Sequence, residues 1–257
     1  MQAAKQTLDA APDLFAVTQW SVIVAAGKAQ EDPESSRTAL AALCQTYWPP
    51  LYTYARARGY SMHDAQDLTQ GFFAYLLEHK IYKRADRTRG KFRCFLRASF
   101  KNFLSDARDH EQRLKRGGGQ DFAPFDESKI SSAESLFQTH DSLGMQELKG
   151  DRLFERSWAT TLVASALARV ATAYQGEAKR RLFDKLKIFL TLGATPLPTY
   201  AELALRLGIA ESTLRSHVTR LRAHYREGLR AEVRRTVNSD AEVDEELREL
   251  LRVLSST

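Results

Sequence analysis

The stretch from Tyr200 to Tyr225, YAELALRLGIAESTLRSHVTRLRAHY, carries two helical signals separated by a turn. Pro196 and Pro198 interrupt the chain ahead of it, and Thr199 followed by Glu202 three residues later is a capping-box pattern. Leu203, Ala204 and Leu207 give the first helix its inner face, and the small Ala204 lets a second helix cross closely. Gly208 supplies the turn and Ile209 plugs the corner. The second helix starts at Ser212 or the residue before it, with Leu214, Val218 and Leu221 inside. This is a helix-turn-helix pattern, whose second helix enters the DNA major groove. Its outward positions, Glu211, Ser212, Arg215, Ser216, Thr219 and Arg220, form a polar and basic set able to reach base edges and phosphates. An ordinary αα-hairpin with a solvated face has the same spacing, so the pattern alone leaves both readings open.

Working outward, helical periodicity recurs on both sides. Leu40, Leu43, Tyr47 and Leu51 follow spacings of three and four; Pro49 and Pro50 are expected to bend or break that run, and a second helix to continue to Ala57 and stop at Gly59. Ser61 and Asp64 form a capping-box-like start ahead of the stripe Ala65, Leu68, Phe72, Tyr75 and Leu76. A further stripe runs through Phe92, Phe95, Leu96, Phe100, Phe103 and Leu104. Phe154, Trp158, Leu162, Val163, Leu167, Val170 and Tyr174 predict a long helix, and Phe183, Leu186 and Leu190 another ending near Gly193. No convincing alternating strand interrupts them, and 13 Gly and 7 Pro in 257 residues disfavour a turn-rich all-β fold. The expected class is all-α.

The net charge of +6 averages over blocks of opposite sign. Lys83 to Arg116 holds twelve basic and four acidic residues, a balance of +8. From Gln120 to Glu155 eight acidic residues oppose three basic ones, giving −5. Glu211 to Arg235 returns to +4, with seven Arg against three Glu. The tail is acidic again through Asp240, Glu242, Asp244, Glu245, Glu246 and Glu249. Two anion-binding surfaces separated by an acidic spacer fit this alternation better than a diffuse basic coat. The spacer opens with Gly117, Gly118 and Gly119 and lacks sustained apolar periodicity, so residues 119–152 are expected to form a linker with one short helix near Ala133–Thr139. Leu247, Leu250, Leu251 and Leu254 make the tail a helix, packed back on the protein or presented to a partner, packing being the favoured alternative.

Within the first basic block, the segment from Arg89 to Asn102 mixes cations with aromatic rings, the combination that holds unpaired nucleic-acid strands. The Phe spacing assigns most of those rings to a core, so the cations are the stronger half of that expectation. Other chemistry is not indicated. Cys44 and Cys94 lie far apart with no CxxC pair, which argues against a disulfide framework or zinc site and for a reduced, cytoplasmic protein. His63-Asp64 and Asp109-His110 have no third partner at ligand spacing. No enzymatic motif, cofactor or metal is expected, and no apolar run reaches the ~18–20 residues of a membrane span.

Three of these segments carry a resemblance. Asp64 to Leu77, DAQDLTQGFFAYLL, is similar to the core-binding helix of bacterial RNA polymerase sigma factors of the extracytoplasmic-function (ECF) branch. Lys91 to Asp106 resembles the segment that follows it in that family, and Tyr200 to Tyr225 resembles the family's promoter-reading helix-turn-helix. Gln66 and Gly71 stand where the family usually has acidic residues, and Phe95 replaces a Trp. The resemblance implies an N-terminal extension at 1–37, a polymerase-binding and −10-type region at 38–118, an acidic linker at 119–152, a −35-reading region at 153–235 and an acidic tail at 236–257. Asp64, Asp67, Leu68, Gln70 and Phe73 would contact the polymerase core. Arg87, Arg89, Lys91, Arg93, Arg97, Lys101, Asn102, Asp106 and Arg108 would hold the proximal promoter element, and the outward set from Glu211 to Arg220 the distal one. Implied partners are RNA polymerase core and promoter DNA, with an anti-sigma protein as a further candidate. The acidic spacer and tail are suited to screening the basic surfaces until polymerase engages. The competing expectations are a helix-turn-helix regulator that does not bind polymerase and a helical interaction protein that binds no DNA.

Overall fold

Pro33–Ala57 forms one helix of 25 residues, α1, which supplies Leu43, Tyr47, Trp48, Leu51 and Tyr52 to the larger apolar core. The computed structural model describes residues 33–86, 90–111, 127–141, 146–190, 197–237 and 239–255. After α1 come α2 (Met62–Glu78), α3 (Phe92–Glu111), α4 (Glu127–Asp141), α5 (Gln146–Thr172), α6 (Glu177–Leu186), α7 (Tyr200–Leu207), α8 (Glu211–Arg234) and α9 (Val243–Ser255). Short 3-10 turns at Ile81–Arg84, Lys187–Phe189 and Asp240–Glu242 complete the order, and no strand occurs among the described residues. The class is all-α.

The expected break at Pro49-Pro50 does not occur, because α1 runs through both prolines. An interior proline removes a backbone hydrogen bond and crowds the preceding turn, at about 3 kcal/mol or more. Burial offsets that cost. Tyr47, Trp48, Leu51, Tyr52 and Tyr54 are all at most 1% exposed, with Trp48 stacked on Tyr52 at 5.0 Å between centroids. The helix ends as expected at Gly59, whose φ of 92° lies in the region that favours glycine. At the start of α2, Ser61 Oγ accepts from the Asp64 backbone N–H at 3.1 Å and donates to the Asp64 carboxylate at 2.6 Å.

Two apolar clusters share helices. The larger combines α1 with Phe72, Phe73 and Leu76 of α2, Phe92, Leu96 and Phe100 of α3, Phe154, Trp158 and Leu162 of α5, Val233 of α8, and Val243 and Leu250 of α9. The smaller joins Val170 of α5 to Phe183 and Leu186 of α6, Leu203 and Ala204 of α7, and Leu214, Val218 and Leu221 of α8. Thus α5 and α8 each run from one cluster into the other. They cross closely at Gly228, where a Cβ would lie 3.5 Å from the Ala166 carbonyl oxygen.

The described residues of the segment expected as a linker, 119–152, include the short helix expected near Ala133–Thr139, lengthened at both ends. They are helical: α4 covers most of them, and α5 begins at Gln146, ahead of the expected boundary at 153. The reason is a buried polar anchor that apolar periodicity does not reveal. Glu134 accepts from Tyr52 Oη at 2.7 Å and from Arg56 Nε and Nη2 at 2.8 Å each, while the Arg56 guanidinium covers the Phe137 ring at 4.6 Å. This bidentate pair ties α4 to α1. The Gly117–Gly119 run lies outside the described residues. The acidic tail packs back on the protein as helix α9, with Leu250 fully buried and Leu247 and Leu254 half-buried, while Leu251 faces solvent.

Candidate nucleic-acid interface

The helix-turn-helix is built from short-range interactions. Thr199 Oγ1 accepts from the Glu202 backbone N–H at 3.2 Å, and the Glu202 carboxylate accepts from the Thr199 N–H at 2.9 Å, closing the capping box of α7. Those hydrogen bonds hold the Glu202 carboxyl below its usual range. Gly208 ends α7 at φ 66°, and its N–H reaches back to the Leu205 carbonyl. Leu214, Val218 and Leu221 then turn one face of α8 inward, and Ser212, Arg215, Ser216, Thr219 and Arg220 are left exposed on the other. Glu211, half-buried, accepts from Arg215 Nε at 2.9 Å, and the Arg215 guanidinium lies 4.7 Å from the Tyr200 ring centroid. Glu211 and Tyr200 therefore position Arg215 at the start of α8. Arg222 shares a shallow cleft with Tyr200, Glu211 and Arg215. Sequence reading assigns no role to Tyr200 or Arg222, although an aromatic at the first helical position is a visible signal.

The first basic segment keeps its rings inside, as their spacing predicts, and pairs several of its cations within the chain. Phe92, Leu96 and Phe100 are fully buried, with Phe95 and Phe103 packed against the same core, so these rings are not stacking platforms for bases. Lys101, Asn102 and Asp106 are exposed on α3. Arg87 and Arg89 lie outside the described residues, as does the side chain of Arg108. Arg93 is 5% exposed: its Nε donates to Glu155 at 2.8 Å, its Nη1 to Glu246, and its guanidinium lies 4.0 Å from the Trp158 ring centroid. Arg97 donates to Glu155 at 3.2 Å and stands 3.7 Å from Asp151, and Lys91 donates to Glu246. Burial, followed by repulsion from Arg93, pushes the Lys91 ammonium below its ordinary value. Three cations of the proposed DNA-binding row thus face carboxylates of α5 and α9. In this conformation Arg93 and Arg97 are paired within the chain rather than turned outward.

On α2, Asp64 and Asp67 are exposed, Asp67 pairing with His63 at 3.0 Å, and Gln70 and Leu68 are half-buried. Phe73 is 3% exposed and tilted against Phe72, so it cannot make a direct contact with another protein in this conformation. The residues that sequence reading misses are Glu155, Trp158 and Glu246, the partners of Arg93. Glu246 does leave a trace, since it falls three residues after Val243 and four before Leu250, on the apolar stripe of its helix.

Among the described residues no group of three or more His, Cys, Asp or Glu side chains is placed to hold a metal ion, and no helix is long and apolar enough to cross a membrane. The two clusters and the exposed face of α8 define an all-helical protein containing a capped helix-turn-helix. Comparison with protein-family models, curated proteins and solved structures finds no match for this chain.

Proposed function

We propose that this chain is a sigma factor similar to the ECF branch, binding core RNA polymerase and directing promoter-specific initiation without covalent chemistry of its own. The observation that carries the reading is the capped helix-turn-helix, whose outward face offers Arg215, Ser216, Thr219 and Arg220 to a major groove. It stands third in a chain order of motifs that also includes the α2 and α3 segments. In this reading α8 takes the distal promoter element, the exposed Lys101 and Asn102 of α3 take the proximal one, and Asp64 and Asp67 meet the polymerase. The partners are RNA polymerase core and promoter DNA, and the site of action is the cytoplasm.

The burial of Phe73 and the internal pairing of Arg93 and Arg97 favour a second reading, a helix-turn-helix regulator that binds duplex DNA without polymerase. Run-off transcription with core polymerase and the purified full chain separates the two. Promoter-dependent product together with co-purification of polymerase supports the first. Duplex binding with neither product nor co-purification supports the second, and absence of all three removes both.

A further inference from the structure

Helix α9 carries acid on two sides, and both sides engage basic helices of the same chain. On one side Glu246, 1% exposed, is held by Lys91, just ahead of α3, and by Arg93 of α3. On the other, Asp244 pairs with Arg230 of α8, and Asp240, in the turn ahead of α9, with Arg234. Between these rows Val243 and Leu250 sink into the larger core. The tail therefore bridges the two segments with the largest positive excess. Carboxylates of α5 complete the cover, Glu155 on Arg93 and Arg97 and Asp151 on Arg97.

A plain stabilising ion pair is a poor account of this arrangement. Buried pairs give little net stability relative to apolar side chains of similar volume, because desolvation of both charges opposes their attraction. Here a buried guanidinium is shared between carboxylates from two helices distant in sequence, and the neighbouring Lys91 is only partly covered, at 37% exposure. The carboxylate oxygens of Glu246 and Glu155 occupy the donor directions that phosphate oxygens of a nucleic-acid backbone would take.

We infer that α9, with the acidic start of α5, is an internal cover on the α3 cation row, and that its release frees Lys91 and Arg93 to bind the backbone of an unpaired DNA strand. The inference rests on the promoter-binding reading above. Release exchanges carboxylate for phosphate at the same cations. A polyanion supplied at high local concentration, as when the duplex is already held by α8, competes with Glu246 for them.

The test uses the full chain, a labelled single-stranded oligonucleotide and a labelled duplex, with binding read by anisotropy at fixed moderate salt. Glu246→Gln and Glu155→Gln each remove one carboxylate from Arg93 with little change of shape. Each is expected to tighten single-strand binding on the order of tenfold, with log K falling more steeply with log salt by about 0.7 for each additional phosphate neutralised. Adding Lys91→Gln to Glu246→Gln should remove much of the gain. Hydrogen exchange in the wild-type chain gives a readout independent of either variant's folding: amides of Val243–Ser255 should exchange faster once the strand is bound. Unchanged single-strand affinity in both folded variants overturns the cover, as does unchanged or slower exchange across α9. If duplex binding is present and sensitive to Arg220→Ala while single-strand affinity ignores Glu246→Gln, the cover falls and the promoter reading stands. If no variant binds either form, both fall.

Discussion

Glu134→Gln tests whether the acidic spacer is docked. In the wild-type chain the Glu134 carboxylate, 6% exposed, takes a bidentate pair from Arg56 and a hydrogen bond from Tyr52. Breaking a buried ion pair by neutralising one partner costs about 3–5 kcal/mol. Two features lower that figure here. Arg56 is 18% exposed and still donates to the Tyr60 carbonyl at 2.6 Å, and the substituted amide oxygen can still accept from Tyr52. A loss of about 2–3 kcal/mol follows. At about 2–4 °C per kcal/mol for a chain of this size, the melting temperature should fall by about 4–12 °C. The loss is capped by the free energy of docking α4, because a helix that detaches alone spares the rest of the core. The acid dependence follows from the same contacts. The Arg56 hydrogen bonds hold the Glu134 carboxyl below its ordinary value of 4.5. Its contribution is therefore complete above that value and lost as pH falls through the lower folded-state value. The variant lacks this group, so urea midpoints of the two proteins, read by circular dichroism, should converge as the solution is acidified. A variant melting within about 1 °C of wild type near neutral pH, or a gap that widens in acid, would refute the docking of α4 through this pair.

Four further outcomes are expected. Gly71→Ala should raise stability by up to about 1 kcal/mol, because glycine is a poor interior helix residue and the added Cβ meets only the Phe103 ring edge, at 3.7 Å; a lower urea midpoint would contradict it. Arg220→Ala should weaken cognate duplex binding by about 1–3 kcal/mol if it reads a base edge, and anisotropy against scrambled duplex checks that the loss is sequence-dependent. Asp67→Lys should reduce capture of polymerase core while leaving duplex affinity unchanged; the reverse pattern would displace α2 from its proposed role. Maleimide at mildly alkaline pH should label the exposed Cys94 and spare Cys44, whose thiol is pushed up to about 12 by burial. Mass spectrometry finding equal labelling of both thiols in the folded chain would show that α1 is not packed as described.

The helix-turn-helix is legible in the sequence because every device that makes it is local. A cap three residues long, a glycine in the left-handed region and a three-and-four apolar spacing all lie within Thr199–Leu221, and each appears where the sequence places it. The core assignment of the α3 phenylalanines is legible for the same reason. Tertiary burial overrides local preference elsewhere. The two prolines of α1 persist in a helix because five aromatic and aliphatic neighbours are buried around them. The helix at 127–141 is held by a carboxylate that meets its arginine 78 residues away, a distance no periodicity measures. A solvent face is the default place for an arginine such as Arg93; its two carboxylates lie 62 and 153 residues further along the chain.

The way the two clusters are joined bears on how a two-element reader would work. Reading two promoter elements through independent domains calls for a flexible joint between them, and the spacer at 119–152 is the natural candidate in the sequence. The structure gives α5 and α8 to both clusters: Phe154 and Trp158 lie in the larger and Val170 in the smaller, Leu214 in the smaller and Val233 in the larger. A rotation of one cluster against the other must then strip the first half of α5 from α1, or bend α5 and α8 where they cross at Gly228. The first route exposes Trp158, breaks Arg93–Glu155 and removes the support of α9, so cluster separation and uncovering of α3 would be one event. The second leaves the Glu155 and Glu246 contacts in place and moves only the helix-turn-helix. The consequences differ for DNA: coupled opening links strand binding on α3 to the spacing between elements, whereas bending at Gly228 adjusts spacing with the cation row still covered. Hydrogen exchange at Phe154–Leu162 on promoter binding tells them apart, because only the first route releases those amides from the packing of α1.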